Sequence, residues 1–225
     1  MTAAMTSTVL VVGANRGIGL ELARDLKKRG YDVIATCRDT SDALEALDVE
    51  VHRGVDVTDD TSVIAFRKAM AGRVLDGVIV NAGILRRTPL DPLDLATVRE
   101  QLEVNAIGPL RVLGAVNDLV KDGGKIAILT SRMGSIADNT SGGMYGYRMS
   151  KAAVNAMGVS LARDLAPRKI AVALLHPGYV RTDMTAKNGN VDPDEAARQL
   201  VDRFEQLSME TTASFWHANG EVLPW

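Results

Sequence analysis

The amino-acid sequence predicts a doubly wound α/β fold, in which helices cover both faces of a mostly parallel sheet of seven strands. Short apolar segments alternate with amphipathic segments, which is the pattern of strands joined by crossover helices. The apolar segments, among them VLVV, GVIV and IAIL, are nearly continuous, as expected for strands buried on both sides. A glycine-rich turn between the first strand and the first helix is a third indication of this fold.

The first half of the chain supplies four of the strands. Each strand is a short run of β-branched and other apolar residues, and the helices carry apolar residues at helical spacing. A proline-containing turn at residues 89–92 precedes the longest helix. The predicted elements are strand 9–12, helix 17–29, strands 33–37 and 49–54, helix 61–70, strand 75–80 and helix 93–120.

The second half continues the same alternation. Its predicted elements are strand 125–130, helix 145–165, strand 170–175, helix 194–207 and a last strand at 213–217. No internal repeat or low-complexity linker divides the sequence, so we expect residues 1–225 to form a single domain.

The composition excludes several classes of partner. A hydrophobic fraction of 46% and a formal charge of −2 provide no basic excess for nucleic acid or anionic lipid. No segment approaches the ~20 apolar residues of a membrane span, and the N-terminus lacks the features of a signal peptide. The single cysteine, Cys37, cannot form an internal disulfide, which favours a cytoplasmic location. The three histidines are widely scattered, so we expect no metal site.

The turn after the first strand reads GANRGIG, with glycines at positions 13, 17 and 19. Glycines let the backbone approach a phosphate closely, and the following helix N-terminus offers unpaired N–H groups to it. The spacing differs from that of the G-x-G-x-x-G dinucleotide motif, and the lysine of the triphosphate-binding loop is missing. Three glycines here could also form only a tight turn.

Tyr147 and Lys151 form the most informative pair in the sequence. They lie four residues apart in a predicted helix and therefore on one helical face. A neighbouring ammonium group lowers the pKa of a phenol, which predicts a proton donor and acceptor near neutral pH. Tyr145 is the competing tyrosine, but Met149 stands four residues after it. The alternative interpretation is an exposed polar pair on a surface helix.

The motifs together, in this order and over most of the chain, resemble the short-chain dehydrogenase/reductase family. Residues 12–19 match its T-G-x-x-x-G-x-G loop, with Val12 in place of threonine. Within the family, the stretch before Lys151 and the short C-terminus resemble carbonyl-reductase-like and C-factor-like members. The other matching motifs are Asp56-Val57-Thr58, Asn81-Ala82-Gly83, Asn105 in VNAIGP, Ser131 in S-x-x-G, Tyr147 and Lys151 in Y-x-x-x-K, and Pro177-Gly178 with Thr182.

The resemblance implies a Rossmann fold and hydride transfer between a nicotinamide and a carbonyl or alcohol substrate. It implies that Tyr147 exchanges the proton, that Ser131 donates a hydrogen bond to the carbonyl oxygen, and that Lys151 binds the nicotinamide ribose. Asn105 would hold a water beside the lysine, although a core hydrogen bond is the alternative. The implied cofactor-binding residues are Gly13, Asn15, Arg16, Gly17, Ile18, Gly19, Arg38, Asp56, Val57, Asn81, Ala82, Gly83, Tyr147, Lys151, Pro177, Gly178, Val180 and Thr182.

The end of the second strand predicts a preference for NADP(H). Enzymes that prefer NAD place a carboxylate here for the ribose 2′-hydroxyl, but this chain has Cys37 followed by Arg38. Arg38 and Arg16 could flank a 2′-phosphate, which suits the planar guanidinium group. Asp39 keeps NAD(H) possible, because a carboxylate at the strand end would reverse the preference.

The substrate and the assembly are less constrained. The expected partner is a small carbonyl or alcohol compound, and Arg86 and Arg87 could meet an acidic substrate or be plain solvated surface. A homodimer or homotetramer could form through helices 93–120 and 145–165. The C-factor resemblance leaves open an NADP(H)-binding regulatory or signalling protein with little turnover. His176 is interpreted as a structural hydrogen-bonding residue rather than a catalytic one.

Overall fold

A computed structural model describes residues 6–225 of the chain. Seven strands form one sheet in the order β3-β2-β1-β4-β5-β6-β7, and every neighbouring pair is parallel. The predicted fold class is confirmed, with an all-parallel rather than a mostly parallel sheet. The strands are β1 Thr8–Val12, β2 Asp32–Thr36, β3 Glu50–His52, β4 Leu75–Val80, β5 Val120–Leu129, β6 Ala171–His176 and β7 Ser214–His217.

Helices pack on both faces of the sheet. Alternate side chains of each strand point to opposite faces, so Val9 and Val11 of β1 join one buried cluster while Leu10 and Val12 join the other. The helices are α1 Gly17–Lys28, α2 Asp42–Glu45, α3 Asp60–Ala69, α4 Leu95–Leu102, α5 Gly108–Val116, α6 Tyr145–Leu165 and α7 Pro193–Gln206. The first cluster includes residues of α1, α2 and α7, and the second includes residues of α3, α5 and α6.

The prediction of one continuous helix over residues 93–120 is wrong in the interior of this range and at its end. It consists of α4, a π-helical segment Glu103–Ile107 and α5, followed by a 3₁₀ turn Asn117–Leu119. Pro109 has no N–H group and cannot continue the α-helical hydrogen-bond ladder, which accounts for the wider turn before it. This turn carries Asn105.

Strand β5 begins at Val120, earlier than the predicted 125, although Lys121-Asp122-Gly123-Gly124 has the composition of a turn. A shift in the pairing register of β4 and β5, between Leu75 and Gly77, accommodates these residues. The short helix α2 was not predicted, because four residues are too few for a periodic pattern.

The strand order reverses between β1 and β4, which are neighbours in the middle of the sheet. Strands β2 and β3 follow on the outer side of β1, and β5, β6 and β7 follow on the outer side of β4. Connections leave the carboxyl ends of β1 and β4 to opposite sides and open a crevice there, where doubly wound proteins bind ligands. None of the helices in residues 6–225 is long and apolar enough to cross a membrane.

Candidate active site

The glycine loop after β1 packs directly against the end of β4. A side chain at Gly13, which has φ +83°, would lie 2.9 Å from the Cα atom of Ala82. A side chain at Gly19 would collide with the carbonyl oxygen of Gly13 and with the amide of Asn81. The Asn81 amide donates a hydrogen bond to this carbonyl oxygen at 2.7 Å. The two motifs predicted separately, the glycine loop and Asn81-Ala82-Gly83, therefore form one backbone-to-backbone contact.

A cleft of about 280 Å³ opens in front of this contact. Helix α1 begins at its edge with Gly17, and within the described chain no side chain caps its first turn. Free N–H groups at a helix N-terminus attract phosphate. Twelve predicted cofactor residues line the cleft: Gly13, Asn15, Arg16, Gly17, Ile18, Arg38, Asp56, Val57, Asn81, Ala82, Gly83 and Thr182.

Six predicted cofactor residues do not line this cleft. Gly19 packs against Gly13 instead, and Val180 is buried beside Val191. The others are Tyr147, Lys151, Pro177 and Gly178. Residues that line the cleft without having been predicted as cofactor contacts include Cys37, Asp39, Thr58, Ile84, Asp183 and Met184. Cys37 and Asp39 adjoin Arg38 in the sequence, and Asp183 adjoins Thr182. These three cleft residues could therefore have been predicted from their position next to a predicted cofactor residue.

Both arginines predicted for the 2′-phosphate reach this cleft and face carboxylates. Arg38 lies 3.8 Å from Asp56 and Arg16 lies 3.6 Å from Asp183, and both arginine side chains are exposed. Burial disfavours ionisation of Asp56, but hydrogen bonds from Thr58 outweigh it and hold the pKa of Asp56 below its ordinary value. At the strand end, burial raises the pKa of the Cys37 thiol. The position after β2 thus presents a neutral group.

Ser131 and Tyr147 come together beyond the carboxyl end of β5. Both side chains are buried, and the Ser131 hydroxyl accepts a hydrogen bond from the Met133 backbone N–H at 3.2 Å. Tyr147 is 8% exposed whereas Tyr145 is 37% exposed, so burial distinguishes the two tyrosines as the spacing did. Burial raises the pKa of Tyr147 above its ordinary value, and the neighbouring Ser131 hydroxyl partly opposes this.

Lys151 lies beside Tyr147, with its ammonium nitrogen 5.8 Å from the centre of the phenol ring. The nitrogen donates a hydrogen bond to the Leu129 carbonyl oxygen at 3.0 Å. Burial lowers the pKa of Lys151 to about 8. The sequence predicted that the lysine lowers the pKa of the tyrosine, but in the structure that pKa is raised, because the same burial penalises the charged forms of both groups.

Asn105 connects three parts of the site through its side-chain amide. Its nitrogen donates to the Ile84 carbonyl oxygen and to the Ser150 hydroxyl, both at 2.9 Å, and its oxygen accepts from the Ile84 N–H at 2.7 Å. Ser150 in turn donates to the Tyr147 carbonyl oxygen at 2.8 Å. A side chain at Gly83 would lie 3.2 Å from the Asn105 oxygen and 3.7 Å from the Lys151 nitrogen, so both face the space beside this glycine.

Arg148 holds the loop that follows Ser131. We call residues 133–144 the substrate loop, because it borders Ser131 and Tyr147 in the chain. The Arg148 guanidinium donates to the carbonyl oxygens of Met133 and Gly142, at 3.4 and 3.3 Å, and to the Ser141 hydroxyl at 2.9 Å. This side chain therefore joins the beginning and the end of the loop. Sequence reasoning missed Arg148, whose position directly after Tyr147 gives no hint of these contacts.

The C-terminal residues pack beside the same loop. The Ala137 N–H donates to the Trp225 carbonyl oxygen at 2.9 Å, and Arg132 lies 3.2 Å from Asp138 and 2.6 Å from Glu221. Trp225 stacks on Phe215 of β7 with 5.3 Å between ring centres. The end of the chain therefore forms part of the support of the substrate loop.

His176, at the end of β6, lies edge to face with His217 at 5.0 Å. Burial, together with His217, Arg132 and Lys151, lowers the pKa of His176 to about 3, so its ring is neutral at physiological pH. A group that stays neutral down to this pH is a poor acid or base at pH 7. Among residues 6–225, no cluster of three or more His, Cys, Asp or Glu side chains could hold a metal ion.

Known proteins share this sequence pattern and architecture. The family model described as short chain dehydrogenase matches residues 7–192. A 1-hydroxy-2-glutathionyl-2-methyl-3-butene dehydrogenase from Rhodococcus sp. (strain AD45) is 44% identical over 225 residues, covering 97% of this chain and 100% of that protein. The C-signal protein of Myxococcus xanthus is 37% identical over 164 residues, covering 72% of this chain and 99% of that protein.

Some of the similar solved structures contain a bound nicotinamide cofactor. The crystal structure of NADPH-bound carbonyl reductase from chicken fatty liver superposes with a TM-score of 0.89 at 29% identity. The match covers 99% of this chain and 100% of that chain. The resemblance to carbonyl-reductase-like and C-factor-like proteins, inferred from the motifs, is thereby confirmed.

Proposed function

The chain belongs to the short-chain dehydrogenase/reductase family of oxidoreductases, and from this premise we propose that it is an NADP(H)-dependent carbonyl reductase or alcohol dehydrogenase. The observation that carries the proposal is the burial of Ser131, Tyr147 and Lys151 in one site, with the Lys151 ammonium nitrogen 5.8 Å from the centre of the Tyr147 ring.

A nicotinamide cofactor, when bound in the cleft, would supply or accept the hydride of the proposed reaction. Tyr147 donates its phenolic proton to the substrate oxygen during reduction, and its raised pKa keeps this proton in place at neutral pH. Ser131 donates a hydrogen bond to the same oxygen as negative charge develops on it. Lys151 has a pKa of about 8 and can return a proton toward the tyrosine through the space beside Gly83.

Asn105 is a positioning residue in this proposal. Its amide fixes the backbone of Ile84, which follows Gly83 at the cleft, and reaches the Tyr147 carbonyl oxygen through Ser150. The π-helical turn that carries it directs this side chain into the site. One acceptor position of its oxygen is left for a water beside Lys151, as the family resemblance implied.

The preference for NADP(H) is supported by the arginines at the cleft. Arg16 and Arg38 line the cleft with exposed side chains and lie 3.6 Å from Asp183 and 3.8 Å from Asp56, respectively. Ion pairs this long and this exposed contribute little to stability, so a phosphate can replace the carboxylate as the partner of each arginine. The similar chicken carbonyl reductase binds NADPH. Asp39 also lines the cleft, so use of NAD(H) is the alternative that the assay must compare.

The first test is NADPH oxidation with a panel of aldehydes, ketones, quinones and keto-esters, using the native protein and Tyr147→Phe. We expect turnover of at least one compound, and a loss of roughly 10²–10⁴-fold in kcat in the variant because the proton donor is removed. NADPH binding should be unchanged, since Tyr147 is not among the residues that line the cleft. A variant with native activity would contradict the assignment of Tyr147.

Similarity to the C-signal protein favours a second candidate, an NADP(H)-binding regulatory or signalling protein with little turnover. It predicts tight NADPH binding with no reduction of any compound in the panel. The intact group of Ser131, Tyr147 and Lys151 favours the enzyme, because a binding protein does not need a buried proton donor.

We also propose a homo-oligomer in the cytoplasm. The helices expected at the interface carry exposed apolar side chains, namely Leu95 on α4, Ile107 in the π-helical segment, Leu110 on α5 and Met149 on α6, each at least 45% exposed. An apolar surface of this kind is typical of protein interfaces. Light scattering after gel filtration should give a mass of two or four times 24.1 kDa.

A further inference from the structure

We propose that Arg86 and Arg87 bind an anionic group of the substrate, such as a carboxylate, at the entrance to the active site. This inference rests on the proposed oxidoreductase function and names the class of substrate that the site prefers.

The loop that carries the two arginines is fixed against the N-terminal turn of α6. The Arg86 N–H donates to the side-chain oxygen of the buried Gln101 at 2.9 Å. The Thr88 hydroxyl accepts from the Gly146 N–H at 2.8 Å, and the Thr88 carbonyl accepts from the Tyr145 N–H at 3.2 Å. The Gln101 contact attaches the loop to α4, and the two Thr88 contacts attach it to the residues directly before Tyr147.

The other end of the loop is attached at the cleft. Asn105 binds both backbone groups of Ile84, and Arg86 lines the cleft together with Gly83, Ile84 and Met184. The arginine side chains therefore project from a backbone that is ordered at both ends. A charged group on such a backbone loses less conformational entropy when it binds a ligand than one on a free loop.

The two guanidinium groups have no carboxylate partner among residues 6–225. Within the described part of the chain, the Arg86 guanidinium donates a single long hydrogen bond, at 3.4 Å, to the carbonyl oxygen of the preceding Leu85. Arg16 and Arg38, at the same cleft, both have carboxylates within ion-pair distance. Glu100 lines the cleft as well, but it forms no ion pair with either Arg86 or Arg87. Two adjacent, exposed and unneutralised guanidinium groups favour a carboxylate from outside the chain.

The relative from Rhodococcus acts, by its name, on a glutathionyl compound, and the glutathione moiety carries carboxylates. The proposal for this chain does not depend on that compound. It requires only that the carbonyl or alcohol substrate carries an anionic group some distance from its reacting carbon.

The test compares para-carboxybenzaldehyde with its methyl ester, which has a similar shape and no charge. Native protein, Arg86→Gln/Arg87→Gln and the control Arg99→Gln are assayed at saturating NADPH. Arg99 is exposed on α4, forms no ion pair with a described residue and does not line the cleft. We expect the double variant to lose about 10-fold in kcat/KM for the carboxylate and less than about 2-fold for the ester. The Arg99→Gln control should retain the native kcat/KM for both the carboxylate and the ester.

Two further measurements keep the proposal falsifiable. If neither aldehyde is reduced, the proposed function is wrong for these compounds, and the affinity of the protein–NADPH complex for para-(hydroxymethyl)benzoate and its methyl ester is measured by calorimetry. Tighter binding of the carboxylate that the double variant loses supports the proposal, and equal binding of acid and ester overturns it. A parallel loss of NADPH affinity in the double variant also overturns it, because the arginines would then serve the cofactor.

Discussion

The cleft beside the glycine loop and the substrate loop are constructed in different ways. At the cleft, backbone lies against backbone, since a side chain at Gly13 or Gly19 would meet Ala82 or the loop itself. At the substrate loop, one long side chain, Arg148, bridges Met133 and Gly142 by hydrogen bonds longer than 3.2 Å. The close backbone packing at the cleft leaves no room for a side chain at Gly13 or Gly19. The substrate loop, which is held by side-chain hydrogen bonds, can accommodate other residues and other shapes.

The largest effect that would test this comparison is expected from Gly19→Ala. The added methyl group collides with the Gly13 carbonyl, which cannot move without displacing the glycine loop. We expect a loss of about 3 kcal/mol or more in unfolding free energy and at least 10-fold weaker NADPH binding. Chemical denaturation and NADPH fluorescence titration measure the two quantities.

Gly114→Ala is the matched control for this substitution. Gly114 lies in α5, and a side chain there would meet no atom within 4 Å. We expect a neutral or slightly stabilising effect of up to about 1 kcal/mol, since alanine is the better helix former. Equal destabilisation by both substitutions would contradict the close packing of the loop.

A smaller effect, confined to the cleft, is expected from Arg38→Ala. The guanidinium is proposed to bind the 2′-phosphate, so its removal should raise the KM for NADPH about 10-fold and leave the KM for NADH unchanged. Arg53→Ala removes another exposed arginine, paired with Glu45 and outside the residues that line the cleft, and should change neither value. An unchanged KM for NADPH in Arg38→Ala would show that Arg38 does not bind the 2′-phosphate.

The smallest effect is expected on the other side of the site, from Arg148→Lys. A lysine keeps the charge but cannot reach three acceptors with one planar group. We expect the substrate loop to loosen, with a rise of about 2- to 5-fold in the KM for the carbonyl substrate and no change in NADPH affinity. Weaker NADPH binding in this variant would mean that the two regions are not independent.

Local patterns predicted the parts of the molecule that depend on neighbouring residues. Tyr147 and Lys151, four residues apart on α6, lie beside each other as the helical spacing required. Glycines 13, 17 and 19 occupy the turn between β1 and α1. The strands were found because burial on both faces leaves a continuous apolar run.

Contacts between distant residues could not be predicted in the same way. Ser150 meets Asn105 from 45 positions along the chain, and Gln101 fixes Arg86 through a backbone N–H that no sequence pattern marks. The pKa of Tyr147 was predicted in the wrong direction, because the sequence shows the neighbouring charge but not the degree of burial. The π-helical turn at Asn105 was missed because Pro109 was read as part of a continuous helix.

The most direct test of the central claim follows the hydride itself. NADPH carrying deuterium in both positions at nicotinamide C4 is incubated with the native protein and a reducible aldehyde from the panel. We predict one deuterium atom on the carbinol carbon of the alcohol, and no transfer with Tyr147→Phe beyond its residual rate. An alcohol without deuterium at that carbon, formed at the native rate, would contradict direct hydride transfer at this site.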